Sequence, residues 1–326
     1  MPDPSDENHN AGPGTPKRVA TLIASATEIV VALGCRDWIV GRSHECDFPA
    51  DIATVPVLTE AKFPLDGSSH DIDQRVKTLV QEGASVYRLD GEQLKALRPD
   101  VIVTQDHCEV CAASLKDVED AIRDWTAHDT RVVSCRPNAL GDVWTDIGRI
   151  AEALGVPGAG GALIAAMRAR MDAVAARASL AASRPRVLCV EWIDPLMAAA
   201  DWMPELVDLA GGTSLLAEPG VHSRWITREE ALAAAPEVIV VMPCGYDIER
   251  ASADMPILAA LPGFAEQPAV RAGRVAIVDG NQYFNRPGPR LADSVEILAE
   301  ILHPELFDFG HKGRGWVQWQ RTASSD

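Results

Sequence analysis

Apolar and polar positions along this chain follow two periods in turn. Residues 18–23, 100–104, 186–192, 238–242 and 274–278 are short runs in which most side chains are apolar and many are β-branched, as in strands covered on both faces. Between them, apolar residues return every three or four positions, the period of a helix with one face on a core. Residues 25–33, 71–82, 91–97, 141–154, 204–210, 229–235 and 290–302 read this way, and shorter extended pieces are expected at 38–41, 55–58, 86–89 and 131–134. Another helix is expected after the loop at 105–111, running to about Trp125. Strands alternating with helices predict open, mostly parallel sheets with helices packed on their faces.

One helical stretch is longer than the rest. From Gly158 to Ala182, Leu163, Ile164, Met167, Met171, Val174 and Ala178 form an apolar stripe, and Arg168, Arg170, Asp172 and Arg177 fall largely between them. Alanine favours the helix, and Pro157 and Pro185 bracket it. About twenty-five residues at roughly 1.5 Å each give a rod of about 38 Å. The chain has the same texture on both sides of this rod. The expected fold is therefore α/β, with two Rossmann-like lobes joined by one long backbone helix. The expected units are a leader at 1–17, a first lobe at 18–156, the helix at 157–184, a second lobe at 185–302 and a tail at 303–326.

Composition narrows the function classes. A chain of 326 residues suits two cores, and a net charge of −17 opposes nucleic acid or an anionic membrane surface as a partner. No run of about eighteen apolar residues is present, so no membrane insertion is expected. The leader is acidic and polar and lacks the basic and apolar segments of a secretory signal. A cytoplasmic location is expected on that ground, or a periplasmic one if the true start lies further upstream. Seven scattered cysteines do not make a disulfide framework, and Cys35, Cys135 and Cys189 lie in or beside apolar runs as core residues. Trp316 and Trp319 are expected to pin the tail to a lobe or to a second subunit.

Several segments together resemble a known family. They are Ser25-Ala-Thr-Glu28 after the first strand, Val40-Gly-Arg-Ser-His-Glu-Cys-Asp-Phe-Pro49 and Leu97-Arg-Pro-Asp-Val-Ile-Val103 in the first half. In the second half they are residues 201–212, Ser223-Arg-Trp-Ile-Thr-Arg-Glu-Glu-Ala-Leu232, Ala235-Pro-Glu-Val-Ile-Val240 and Pro287-Gly-Pro-Arg290. This pattern, covering about residues 17–302, is similar to the helical-backbone, or class III, substrate-binding proteins of ABC importers. It is nearest the vitamin B12 (cobalamin)-binding branch. The resemblance implies a ligand held between two lobes, an ABC permease as partner and Glu229 as a surface contact to that permease. Two features depart from that branch: the missing signal, and a first-lobe cleft offering His, Cys and acidic groups in place of aromatics.

In open α/β sheets, ligands bind beyond the carboxyl ends of the strands. That rule places His44 and Glu45 on one loop of the cleft and Asp106 on another. Facing them from the second lobe are expected Glu191, Trp192, Arg224, Trp225, Tyr246, Tyr283, Phe284 and Arg286, with Trp202 alongside. Aromatic planes with a few polar groups suit a large flat ligand. Cys46, His107, Cys108 and Cys111 offer thiolate and imidazole ligands for zinc or iron, provided three or four of them converge. Glu28 is expected to cap a helix with Ser25 or Thr27, and Asp47 to serve a turn. The sequence has no P-loop, HExxH or GxSxG pattern.

The reading that unites these observations is a non-catalytic binding protein for a corrinoid or related metal chelate. In the cytoplasm it would store, sense or hand over its ligand to an accepting enzyme. One alternative is a metalloenzyme with its His, Cys and acidic groups in the cleft. The other is the substrate-binding component of an ABC importer.

Overall fold

The computed structural model of this chain describes residues 15, 17–81, 86–106, 115–122 and 130–320. In the first lobe the strands are β1 (Val19–Thr21), β2 (Ile39–Arg42), β3 (Thr59–Ala61), β4 (Tyr87–Leu89), β5 (Val101–Gln105) and β6 (Arg131–Cys135). Four of them form a parallel sheet in the order β2-β1-β5-β6. The other two, β3 and β4, make a separate antiparallel ribbon. The extended piece expected at 55–58 contributes only a bridge between Val57 and Arg42, and the strand begins at Thr59 instead.

The second lobe is built on β7 (Arg186–Trp192), β8 (Met197–Ala198), β9 (Thr213–Ser214), β10 (Arg224–Trp225), β11 (Val238–Val241), β12 (Val275–Val278) and β13 (Trp316–Gln318). Its sheet runs β10-β8-β7-β11-β12-β13, with β9 paired to β7. The parallel centre, β7-β11-β12, is the set of apolar runs visible in the sequence. Strands of two residues carry no period, so β8, β9 and β10 had no sequence signal. The tail is part of this sheet, since β13 runs antiparallel to β12 and places Val317 opposite Ile277. Trp316 Nε1 donates to the buried Glu300 Oε2 at 2.8 Å, which anchors that edge.

The long helix spans Pro157–Ala178, ending one turn before the expected limit. Met167, Met171, Val174 and Ala178 are buried, and Leu163 and Ile164 pack partly against the same cluster. One side of the helix meets helix Leu140–Leu154 of the first lobe, and the other meets helices Met203–Leu209 and Leu291–Leu302 of the second. Arg170 adds ion pairs to Asp293 at 2.5 Å and Glu296 at 2.8 Å. A single apolar cluster therefore passes from Ile29, Val103 and Ile147 through Met167 and Met171 to Leu206, Phe284 and Leu298. Rotating one lobe against the other would break close-packed contacts along its whole length, so the lobes are held as one body.

Candidate functional site

Segments that follow the parallel strands of the two lobes meet, and an ion network joins them. Helix Ala24–Ala32 follows β1 and carries Glu28. The turn after β12 carries Asn281, Arg286 and Arg290. Gly280 allows that turn to pass so near the end of β11: a Cβ there would stand 2.5 Å from the Pro243 carbonyl oxygen, a backbone atom that cannot yield. Arg290 donates to Glu28 through Nε at 3.0 Å and Nη2 at 2.6 Å, and Arg286 Nη1 reaches the same carboxylate at 3.1 Å. Arg286 also binds Asp47 through Nη1 at 2.5 Å and Nη2 at 3.1 Å, and donates to Asn281 Oδ1 at 2.9 Å.

This arrangement corrects one expectation and adds to two others. Glu28 is no cap: Ile23 stands at the helix start without a side-chain cap, and the Glu28 carboxylate is buried between two guanidinium groups. Asp47 is an ion-pair partner as well as a loop residue. Arg286, expected to meet ligand, ties the lobes together. Burial opposes its charge, but Asp47 and Glu28 outweigh that and hold its pKa above the ordinary guanidinium value.

Above the network, the loop after β2 presents His44 and Glu45. Thr59 Oγ1 lies 2.8 Å from His44 Nδ1 and accepts from the His44 amide at 3.1 Å, while Tyr87 lies against the imidazole with ring centroids 5.0 Å apart. The other ring nitrogen, His44 Nε2, is buried with no hydrogen-bond partner among the described residues. Burial, helped by nearby Arg42, lowers the pKa of His44 and favours neutral imidazole. Tyr87 Oη donates to Glu45 Oε1 at 2.7 Å. Burial nevertheless pushes the Glu45 carboxyl above its ordinary range, against the opposing effects of Tyr87 and Arg286. Asp106 follows β5, as expected, and pairs with Arg136 at 2.6 Å on an exposed edge.

From the second lobe, Trp192 and Tyr246 stand edge to face at 5.4 Å. Glu191 Oε2 accepts from Ser223 Oγ at 2.5 Å. Tyr283 is half-buried, with the Arg290 guanidinium 5.3 Å from its ring centre. Trp225 is exposed and carries Lys77 of the first lobe 5.2 Å over its ring, while Arg224 pairs with Glu230 at 3.0 Å. Glu229 is exposed in the first turn of helix Arg228–Ala233, beside Arg228.

Three other expected site residues belong to the interior. Phe284 is fully buried in the shared core, and Trp202 donates its Nε1 to the Phe284 carbonyl at 3.0 Å. Cys46 is buried with its thiol 3.0 Å from Thr27 Oγ1, and burial pushes its pKa up to about 11. His107, Cys108 and Cys111 lie outside the described residues. Among the described residues no group of three or more His, Cys, Asp or Glu side chains is placed to hold a metal ion.

Sequence reading missed Arg290, Thr59 and Tyr87, which contact the expected site residues or the network beside them. Arg290 had a signal, since Pro287-Gly-Pro-Arg290 stood out before the last helix. The others are single polar or aromatic residues on short elements and had none.

A family model described as periplasmic binding protein matches residues 19–281. The chain is 24% identical over 301 residues to YvrC of Bacillus subtilis (strain 168), an uncharacterized ABC transporter substrate-binding lipoprotein, covering 90% of this chain and 82% of that protein. Among solved structures, a periplasmic heme-binding protein from Pseudomonas aeruginosa superposes with a TM-score of 0.71 at 21% identity, covering 94% of this chain and 100% of that one. The periplasmic vitamin B12-binding protein BtuF of Vibrio cholerae gives a TM-score of 0.64 at 20% identity, covering 88% and 96%. At these identities the two structures establish the fold.

The same relatives overturn the expected cytoplasmic location. They are periplasmic proteins and a lipoprotein, which point away from the cytoplasm. Likeness over nine-tenths of the chain outweighs what the composition of a short leader suggests.

Proposed function

The chain belongs to the periplasmic binding protein family, and from that premise we propose that this substrate-binding protein of ABC-transporter type carries a planar metal chelate, a corrinoid or a heme, in the cleft between its lobes. The observation that carries the reading is His44. Its Nδ1 is fixed by Thr59 while its Nε2 is buried without a partner among the described residues, and burial favours the neutral ring. A hydroxyl or carbonyl on one nitrogen of an imidazole orients the other toward a metal, and only the neutral ring has a lone pair to give. The cost of an unsatisfied buried nitrogen is offset once the metal of a chelate takes it as an axial ligand.

The edge-to-face pair Trp192 and Tyr246 supports the same reading, because aromatic planes bury the large apolar faces of such ligands. Relatives named for heme and for vitamin B12 share this fold. Glu229 is read as the permease contact that the family resemblance implies. Reversing its charge should stop delivery to the membrane while leaving binding in solution intact.

The test is a titration of the untagged full chain with hemin and, separately, with aquocobalamin, followed by absorbance. Saturable binding with a shifted metal-ligand band is expected for one of the two. In His44→Ala that shift should vanish and affinity should fall at least about tenfold, the scale of one lost charge-tuned or metal-directed contact. Failure of the wild-type chain to bind either chelate would overturn the proposal.

A further inference from the structure

Residues 62–81 belong to the first lobe by connection and to the second by packing. The excursion leaves the ribbon at β3 and returns to it at β4, and its base is pinned where the Lys62 amide donates to the Val86 carbonyl at 2.9 Å. The segment also has structure of its own. Asp71 accepts from the Ser68 amide and hydroxyl, each at 2.9 Å, at the start of helix Ser69–Gln81, and Arg75 Nη1 holds the Pro64 carbonyl at 2.7 Å.

Its apolar side chains face away from the lobe it springs from. Ile72, with Phe63 and Val76 beside it, joins the cluster formed by Leu188, Ile226, Ile239 and Tyr246 of the second lobe. Polar contacts follow the same direction. The Ser69 amide donates to the buried Asp254 Oδ2 at 2.9 Å, Trp192 Nε1 donates to the Ser69 carbonyl at 3.2 Å, and Arg250 donates to the Gly67 carbonyl. His70 Nδ1 lies 3.4 Å from Asp194 Oδ2. Both aromatic residues of the proposed binding surface, Trp192 and Tyr246, are thus engaged by this segment or by its partner Arg250.

We infer that residues 62–81 are a flap that must leave the second lobe before a ligand can reach Trp192 and Tyr246, with Asp254 as its fastening residue. The inference rests on the cleft being the binding site proposed above. Two features favour motion of the flap over motion of the lobes. The lobes share one close-packed core through the long helix, and the Glu28–Arg286–Asp47 network binds their facing loops. The flap contact, by contrast, leaves Ser69 Oγ and Arg250 Nε buried without hydrogen-bond partners among the described residues. A seal with unsatisfied polar atoms opens more readily than a saturated one.

The experiment uses the full-length chain and two variants, Asp254→Asn and Ile72→Ala, the second confined to the flap so that the sheets are undisturbed. Three rates are measured: amide exchange in residues 69–81, alkylation of Cys244 by iodoacetamide resolved by peptide mass, and association of hemin or aquocobalamin. Cys244 is partly exposed on the loop between β11 and Tyr246, with its amide donating to the Glu191 carbonyl, so a rise in its alkylation over the wild-type rate reports further exposure of that loop without any ligand. All three rates should rise about tenfold in each variant, through the weakened charge-assisted hydrogen bond in the first and the lost apolar contact in the second, while amides of β5 and β7 exchange as before. Flap amides that exchange at the wild-type rate in both variants would overturn the inference. So would faster flap exchange with unchanged Cys244 alkylation or unchanged chelate association. If the wild-type chain binds neither chelate, the ligand proposal falls and Cys244 alkylation alone decides for or against the flap.

Discussion

Arg286 of the second lobe lies 3.1 Å from Glu28 of the first, and each has less than a tenth of its side chain exposed to water. Arg290 shares the same carboxylate at 2.6 Å. A buried charge is tolerated because its partners stay in place, so the value of Glu28 lies in what its loss would expose. Glu28→Ala would leave Arg290 without a carboxylate and Arg286 with Asp47 alone. The expected loss is about 3 to 5 kcal/mol in urea unfolding. Asp47→Ala, at a half-exposed position, should cost about 1 kcal/mol or less. Equal costs for the two variants would contradict the network as described.

Acid should loosen the same contact. Burial works against the Asp47 charge, but hydrogen bonds from Arg286 and Asn281 outweigh it and hold its pKa below the ordinary carboxylate value. A folded value lower than the unfolded one means the stabilisation is present above the unfolded pKa and is lost as pH falls through the folded pKa. Urea midpoints taken from about pH 5 down to about pH 2 should decline less steeply in Asp47→Asn than in the wild type. Parallel declines would show that Asp47 contributes nothing to the acid limb.

Cys46 provides a check on the interior. With its pKa near about 11 and its thiol beside Thr27, it should remain unmodified by iodoacetamide in the native protein at about pH 8 and react only after unfolding in guanidinium. Native modification at the unfolded rate would mean that the loop after β2 does not hold the thiol inside.

Neighbouring glycines on the long helix should respond in opposite directions. A Cβ at Gly160 would stand 2.6 Å from the Ala151 Cβ, whereas one at Gly161 would meet nothing within 4 Å. Gly161→Ala should raise stability by about 0.5 to 1 kcal/mol through helix propensity. Gly160→Ala should lower it by about 1 to 3 kcal/mol, because helix Leu140–Leu154 must be pushed away. Thermal melts of the two variants make the comparison, and a shared direction would contradict the close approach.

The resemblance carried by the His44 loop and the segment from Ser223 to Leu232 pointed to the right family, because those motifs keep their residues in sequence order. It could not say which residues face ligand. Phe284 and Trp202 are aromatic and follow cleft loops, yet both turn inward, since a loop residue is aimed by its neighbours and not by its type. Cys46 sits two positions from His44, yet its thiol meets Thr27 while the imidazole meets Thr59, so closeness in sequence did not give them the same neighbours.

By itself, the sequence determined the alternation of buried strands and amphipathic helices, the presence of one long rod after Val156 and hence the two-lobed α/β design, because these follow from periods repeated over many residues. Tertiary structure alone decided the Glu28–Arg286–Arg290 contact, the orphaned His44 Nε2 and the flap packed on the opposite lobe. Each of those depends on two or three side chains drawn together from distant parts of the chain, and such meetings leave no period to read.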